Sequence, residues 1–385
     1  MKTIQKAYKF RIYPNKTQTI LLCKTFGCVR FYWNKQVEIF LDSATNKYPS
    51  STEYRSQYDW MQEVSAAAIQ QKEMDFKEYK NQKFNKGRKK KIGRPKFKKK
   101  AGRQSYRLPN QKFAVLEKHI KLEKIGCVKI VKDREIPDDV KYVNVTVSRN
   151  PDGRYFASIL VEEQVVDKPK TGCTVGVDVG LKSFAELSDG TVVDNPHYFR
   201  NSQAKLAKLQ RKLSRKKGSK KGEKKSVRYR KLRARINRLY AQIVNQRKHF
   251  IHNLSKRLVD KYDVVTTEDL NVIGMLRNHK LAKSISDAAW SELFRQLDYK
   301  CEWFGKEHRK ADRFYPSSQI HFECGFRNRN LKLSDRTWLC PNCGNTVNRD
   351  INAAKNLNAL GVDSAERTQS LAVTSGDEAF RAELE

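Results

Sequence analysis

Apolar and basic side chains alternate through Ala7-Tyr8-Lys9-Phe10-Arg11-Ile12-Tyr13 and stop at Pro14, the period-two pattern of a strand with one dry and one charged face. The period then changes. From Gln18 to Leu41 the residues Leu22, Phe26, Val29, Trp33, Val37 and Phe40 recur at helical spacing, and a second helix is predicted from about Gln62 to Tyr79. Core packing is the ordinary use of such stripes. Between Val140 and Val166 period two returns: Val143, Val145 and Val147 alternate, Asn150-Pro151-Asp152-Gly153 is a turn, and Tyr155 to Val161 forms the answering strand. This hairpin and the opening strand are expected to belong to one small barrel.

Beyond a linker, Asp167-Lys168-Pro169-Lys170, the run Thr174-Val175-Gly176-Val177-Asp178-Val179-Gly180 places its valines on one face and Gly176 and Asp178 on the other. Asp178 is therefore expected to project from the end of a buried strand. Asp189-Gly190 is a two-residue turn between Phe184–Leu187 and Thr191–Val193, which completes a meander. From Asn201 to Asp260 the sequence reads as two helices joined by the loop Lys216 to Lys225, with Leu232, Ile236, Leu239, Ile243, Phe250, Leu254 and Leu258 on the apolar side. Tyr262 to Leu270 reads as another buried strand, ending in the carboxylate pair Glu268-Asp269. Asn348 to Leu357 is helical, with Asp350 in its first turn.

Charge then narrows the partner. The chain has 385 residues, enough for two to four structural units, with 79 Lys and Arg against 42 Asp and Glu, a formal net charge of +37. An excess of this size excludes an ordinary metabolic enzyme's surface and points to a polyanion. The excess is concentrated. Lys83 to Lys100 holds eleven basic residues in eighteen, among them Arg88, Lys89, Lys96 and Lys98. Arg211 to Arg235 holds fourteen in twenty-five against the single acid Glu223, including Arg211, Lys212, Arg215, Lys216, Arg228, Arg230 and Arg233. Like charges packed this densely repel unless phosphates lie among them. Residues 361–385 carry six acids and two bases and are expected to be a disordered acidic tail outside the nucleic-acid path. The sequence has no apolar run long enough for a bilayer, and Met1 to Pro14 bears charges where a signal peptide needs an apolar stretch, so a cytoplasmic setting near a prokaryotic nucleoid is expected.

The cysteines divide in the same informative way. Cys23, Cys28, Cys127, Cys173 and Cys301 are scattered and are expected to be buried free thiols of a reducing compartment. His321-x2-Cys324-Gly325 and Cys340-x2-Cys343-Gly344, separated by 15 residues, instead supply one imidazole and three thiolates on two tight turns, a set that closes a tetrahedral zinc shell. Four protein ligands leave no position for water, so this zinc is expected to be structural. Asp178, Glu268 and Asp350, 90 and 82 residues apart, meet only in a fold that sets two strand ends beside one helix start. An RNase H-like fold does so, and three carboxylates there would hold two Mg²⁺ roughly 3.5–4 Å apart for in-line phosphodiester hydrolysis.

The motifs Gly176-Val177-Asp178-Val179-Gly180, Thr267-Glu268-Asp269-Leu270, Ser286-Asp287-Ala288-Ala289-Trp290, Tyr315-Pro316-Ser317-Ser318-Gln319 and Asn348-Arg349-Asp350-Ile351-Asn352-Ala353-Ala354 occur in the order of the transposon-encoded TnpB (OrfB) family, relatives of the compact type V CRISPR nucleases, which this chain resembles. Phe10-Arg11-Ile12-Tyr13-Pro14, Trp33-Asn34 and Gly93-Arg94-Pro95-Lys96-Phe97 extend the resemblance through the N-terminal half. It implies an α/β multidomain protein. A wedge-type β-barrel (1–14 and 110–168) would be split around a helical recognition lobe with a basic linker (15–109), followed by a RuvC-like nuclease (169–360) with an embedded zinc-ribbon module (317–347).

The resemblance further implies an RNA-guided endonuclease that cuts double-stranded DNA beside a short transposon-adjacent motif, one chain per transposon-end-derived guide RNA. Asp178, Glu268 and Asp350 match the family's catalytic triad, and Cys324, Cys340 and Cys343 match three of its zinc cysteines. His321 stands where the family usually has a fourth cysteine. Gln70, on the second helix, falls where the recognition lobe approaches the adjacent motif. Two rivals share parts of this pattern, an RNA-guided repressor without chemistry and a transposase that joins DNA ends. A missing acid would mark the first, and all three are present. The order of Glu268 before Asp350, with the zinc module between them, separates the chain from the second.

Overall fold

The computed structural model describes residues 1–42, 47–85, 87, 92–219, 222–332 and 334–362. The chain divides into two compact units, residues 2–164 with 233–237, and residues 165–232 with 238 onward, the second also taking Met1.

The first unit opens with β1 (Lys2–Tyr13), α1 (Lys16–Asp42), α2 (Ser51–Gln57) and α3 (Ala66–Phe84) and continues through β2 (Gln104–Pro109), β3 (Phe113–Val115), β4 (His119–Leu122), β5 (Gly126–Val131), β6 (Lys141–Arg149) and β7 (Tyr155–Val165). The strands form a seven-stranded, near-barrel sheet in the order β2-β6-β7-β1-β5-β4-β3. The period-two reading of β1 holds, since Tyr8, Phe10 and Ile12 are buried while Lys9, Arg11 and Tyr13 are exposed. Against this dry face pack Leu22, Phe26 and Val29 of α1 and Ala68 and Ile69 of α3. α3 starts later than its sequence pattern indicates, because the Ser65 hydroxyl accepts from the Ala68 amide and fixes the first turn there. β2 to β5 are not anticipated by the sequence pattern.

The second unit contains β8 (Thr174–Val179), β9 (Ser183–Leu187), β10 (Val192–Asp194), α4 (Tyr198–Ser214), α5 (Val227–Lys261), β11 (Val264–Glu268), α6 (Val272–Met275), α7 (Ala282–Ala288), α8 (Trp290–Trp303), β12 (Glu307–Ala311), β13 (Thr337–Leu339) and β14 (Thr346–Asn348). A last helix, α9, is described over 349–362. The main sheet runs β10-β9-β8-β11-β12: β8, β9 and β10 are antiparallel neighbours, whereas β11 lies parallel to both β8 and β12. Val175, Val177 and Val265 pack with Leu254 and Leu258 of α5 and Leu293 and Leu297 of α8. Two of the scattered cysteines, Cys28 and Cys301, are buried, but Cys23, Cys127 and Cys173 are exposed and correct the expectation for those three. Cys127 lies on the exposed side of β5, opposite in phase to buried Val128 and Ile130, and Cys173 precedes β8 in a loop.

One carboxylate ties the N-terminal ends of the three parallel strands. Asp263, just before β11, accepts from the Thr171 and Gly172 amides that lead into β8 and from the ammonium of Lys306, which leads into β12. Lys306 also donates to the Pro169 carbonyl at 2.8 Å. Stagger fixed at this end is carried along the strands to the end where Asp178 and Glu268 stand. Burial by itself would raise the Asp263 carboxyl, but Lys306 and the two amides outweigh it and hold it down to about 2. Asp263→Asn leaves a buried ammonium without its counter-charge and should cost about 3 kcal/mol in denaturant unfolding at pH 7. A carboxyl depressed in the folded state stabilises above its unfolded value of about 3.9 and loses that contribution as pH falls through its folded value. The difference from the parent chain should therefore be constant above about pH 5 and shrink between about pH 4 and 2. An equal stability for both chains at pH 7 would refute the assignment.

Candidate active site

β8 and β11 run parallel, with Val177 opposite Thr267 as the last register pair before Asp178 and Glu268. The two acids thus leave adjacent strands at the same level. Asp350 comes from the first turn of α9. Glu268 and Asp350 lie close enough to act on Asp178: burial raises the Asp178 carboxyl well above the usual range, the charges of Glu268, Asp350 and Glu186 raise it further, and Arg349 partly offsets them. Asp269, the other member of the expected carboxylate pair, is instead held in an ion pair with Arg313.

The position of Asp350 follows from how α9 is seated. Gly176 shares the face of β8 that carries Asp178, and a Cβ built there would lie 1.9 Å from the Ala354 carbonyl oxygen and 2.5 Å from the Asn358 amide. Only glycine admits the helix backbone this close. The N-cap of α9 is Asn348, whose side-chain oxygen accepts from the amides of Asp350 and Ile351 at 3.1 Å each, so Asp350 is released from the capping role open to a carboxylate in a first helical turn. Its oxygens are engaged by Arg349 at 2.8 Å and by Arg336. Ser317 donates to Glu268 Oε1 at 2.8 Å. Sequence reasoning assigned no site role to Ser317, Arg336 or Arg349, although Ser317 and Arg349 stand inside motifs it singled out.

A candidate metal-binding group is joined to this site through α9. His321, Cys324, Cys340 and Cys343 bring their ligand atoms within 4.8 Å of one another. His321 Nδ1 lies 3.1 Å from Cys324 Sγ and 3.3 Å from Cys343 Sγ, and Cys324 Sγ lies 3.5 Å from Cys340 Sγ. Each pair sits on a turn closed by a glycine amide, Gly325 to the His321 carbonyl at 2.8 Å and Gly344 to the Cys340 carbonyl at 2.9 Å, with both glycines left-handed. One nitrogen and three sulfurs at these separations suit a tetrahedral zinc ion. The Asn342 side chain and the Phe326 amide draw the Cys324 thiol toward its thiolate. On α9, Asn352 bonds both the Phe322 amide and the Ile320 carbonyl, and Asn356 bonds the carbonyls of Ser317 and Ile320. Residues i and i+4 on one helix face thereby clamp the turn that bears His321 and the serine that touches Glu268.

The expected nucleic-acid contacts are placed less uniformly. Gln70 is exposed on α3. Arg88 and Lys89 lie outside the described residues. Lys96 and Lys98 belong to a strap along α1 and α3: Trp33 Nε1 bonds the Lys96 carbonyl, Asn34 bonds the Lys98 amide and carbonyl, and Tyr79 bonds the Gly93 carbonyl. Lys98 lays its ammonium 4.2 Å from the Trp33 ring centroid, where desolvation and neighbouring Lys72 bring its pKa down to about 8. Arg211, Lys212 and Arg215 are exposed at the end of α4, with Lys216 half-buried beside them, and Arg228, Arg230 and Arg233 are exposed on α5.

Profiles of known families match three segments. One described as a probable transposase matches residues 158–279, one described as a Cas12f1-like TNB domain matches 290–357, and one described as a helix-turn-helix domain matches 1–40. In the structure that last segment is a strand followed by a single helix. A protein of Streptomyces pristinaespiralis, provisionally named as an RNA-guided DNA endonuclease, is 36% identical over 94% of this chain and 90% of its own length. InsQ of Escherichia coli strain K12, provisionally named in the same way, is 30% identical over 94% of this chain and 93% of its own. The fold is similar to that of Cas12f1, solved by cryo-EM in complex with sgRNA and target DNA, with a TM-score of 0.55, 15% identity, and coverage of 92% of this chain and 99% of that one.

The seat of α9 is directly testable. Gly176→Ala sets a methyl against backbone atoms that have no rotamer to escape into, so the chain should lose about 2 kcal/mol or more in denaturant unfolding. Gly361→Ala meets chiefly the Thr266 hydroxyl, a side-chain atom, and should cost less. An unchanged unfolding midpoint for Gly176→Ala would show that α9 does not rest on β8 as described.

Proposed function

Because the chain belongs to the transposon-encoded TnpB (OrfB) family, we propose that it is an RNA-guided DNA endonuclease, taking its guide RNA from the transposon end and cutting double-stranded DNA beside a short transposon-adjacent motif. The observation that carries this reading is the convergence of Asp178, Glu268 and Asp350 from β8, β11 and α9, with each neighbour's charge acting on Asp178. An antiparallel meander followed by two strands parallel to its first is consistent with an RNase H-like, RuvC-type core.

Three carboxylates brought together at two strand ends and a helix start fit hard divalent cations, and Asp178, Glu268 and Asp350 would hold two Mg²⁺ there. When bound, such ions supply an activated water and neutralise charge on the scissile phosphate. The chain's own residues prepare the place. Ser317 fixes the orientation of Glu268, Asn348 leaves the Asp350 side chain free of capping, and Arg349 offsets repulsion at Asp178. His321, Cys324, Cys340 and Cys343 would hold one zinc ion as a strut for the loop that α9 clamps.

In this reading the exposed bases at the end of α4 and on α5, together with Lys96, hold phosphates of the guide and its heteroduplex without reading sequence. Gln70 is the candidate reader of the adjacent motif. The β-sheet, helical and nuclease segments take the wedge, recognition and RuvC roles, with two boundaries moved: β2 (Gln104–Pro109) joins the sheet and not the helical lobe, and α9 runs to 362, while the expected acidic tail from 363 on lies outside the described residues.

The test is cleavage of a plasmid library, randomised beside the guide match, by the purified ribonucleoprotein. Double-strand breaks next to one enriched motif are expected. Asp178→Ala, Glu268→Ala or Asp350→Ala should each lower the rate on the order of a thousandfold or more while RNA binding persists, and metal analysis of the parent chain should return one zinc per chain. Binding without breaks, or strand transfer in place of hydrolysis, would overturn the proposal.

A further inference from the structure

Glu186 stands directly across the β8–β9 pair from Asp178. Cross-strand partners project to the same face of a sheet with Cβ atoms about 4.5–5.5 Å apart. The flanking pairs, Val177 with Leu187 and Val179 with Ala185, bury their side chains in the apolar core, so Asp178 and Glu186 point the other way together. That is the face on which Gly176 receives α9 and its Asp350.

A glutamate is an odd occupant for this position. A strand favours a β-branched or aromatic side chain there, and a fourth negative charge beside three others is repelled unless a cation compensates. Among the described residues Glu186 makes no ion pair. Its one side-chain bond comes from Ser183, whose hydroxyl donates to Oε1 at 2.7 Å and fixes the carboxylate while leaving Oε2 open.

We propose that Glu186 is a fourth carboxylate of the cation site, accepting through Oε2 from water carried by the bound ion and strengthening the hold on divalent cations. The inference rests on reading Asp178, Glu268 and Asp350 as cation ligands. Ser183 holds one oxygen of Glu186, so the other is the one available to that water.

Mn²⁺ alone, titrated into the full-length zinc-loaded chain and followed by the electron paramagnetic resonance of the free ion, separates the two ideas. Glu186→Gln should weaken Mn²⁺ binding roughly five- to tenfold, the effect of one charge removed a few ångströms from a divalent ion. Asp178→Ala should abolish that binding. Glu186→Thr, a residue suited to a strand, should repeat the Glu186→Gln result and replaces it if the glutamine variant does not fold. The Mg²⁺ concentration for half-maximal plasmid cleavage should rise by a similar factor. Parent-like Mn²⁺ affinity in the Glu186 variants, with binding lost in Asp178→Ala, overturns this inference alone. Parent-like affinity in Asp178→Ala as well overturns the reading beneath it.

Discussion

At Gly176 the backbone of α9 comes so close to β8 that a single added methyl would fall 1.9 Å from the Ala354 carbonyl oxygen. That contact decides where the first turn of α9 lies, and with it where Asp350 stands relative to Asp178. The same helix face carries Asn352 and Asn356, which grip the turn bearing Ser317 and His321. One packing contact therefore sets the third carboxylate, the serine that holds the second, and one member of the candidate metal-binding group.

The opposite end of the sheet is governed by Asp263. Its bonds to Thr171, Gly172 and Lys306 fix the stagger of β8, β11 and β12 before the strands begin. With stagger fixed at one end and α9 fixed across the face, Asp178 and Glu268 have little freedom in their relative height. Burial first, and the neighbouring carboxylates after it, raise the Asp178 carboxyl, and a site that makes ionisation this costly is suited to binding cations.

Much of this was readable in the chain because periodicity and chemistry agreed. The valines of Thr174–Gly180 declared one buried face, which left Gly176 and Asp178 on the other, and the His321-x2-Cys324 and Cys340-x2-Cys343 spacings announced two turns that meet. What escaped was set by tertiary contact. β2 to β5 are short and interleaved with charge, so each pattern is too brief to separate from a loop. The placements of Ser317, Arg336 and Glu186 cannot be read locally, even for Ser317 inside its motif, since they arise from partners 49, 14 and 8 residues away. The seat of Lys98 over Trp33, set by Asn34 docking its backbone there, has no signature in the basic run either, and Lys98 remains exposed. A carboxylate in a first helical turn, as Asp350 is, can serve as a cap, and the structure gives that role to Asn348 instead.

The proposal that RNA directs the chemistry makes a demand that composition and fold alone do not. If base pairing selects the target and the protein supplies only phosphate contacts, the contact to the adjacent motif and the cation site, the cut must follow the guide. The decisive measurement is to exchange the guide segment of the RNA that co-purifies with the chain and map the breaks in a plasmid bearing both the old and the new matching sequence beside the same motif. The account predicts that cleavage moves to the new match and leaves the old one intact. Breaks that stay at the original position, or that fall without regard to the RNA, would contradict it.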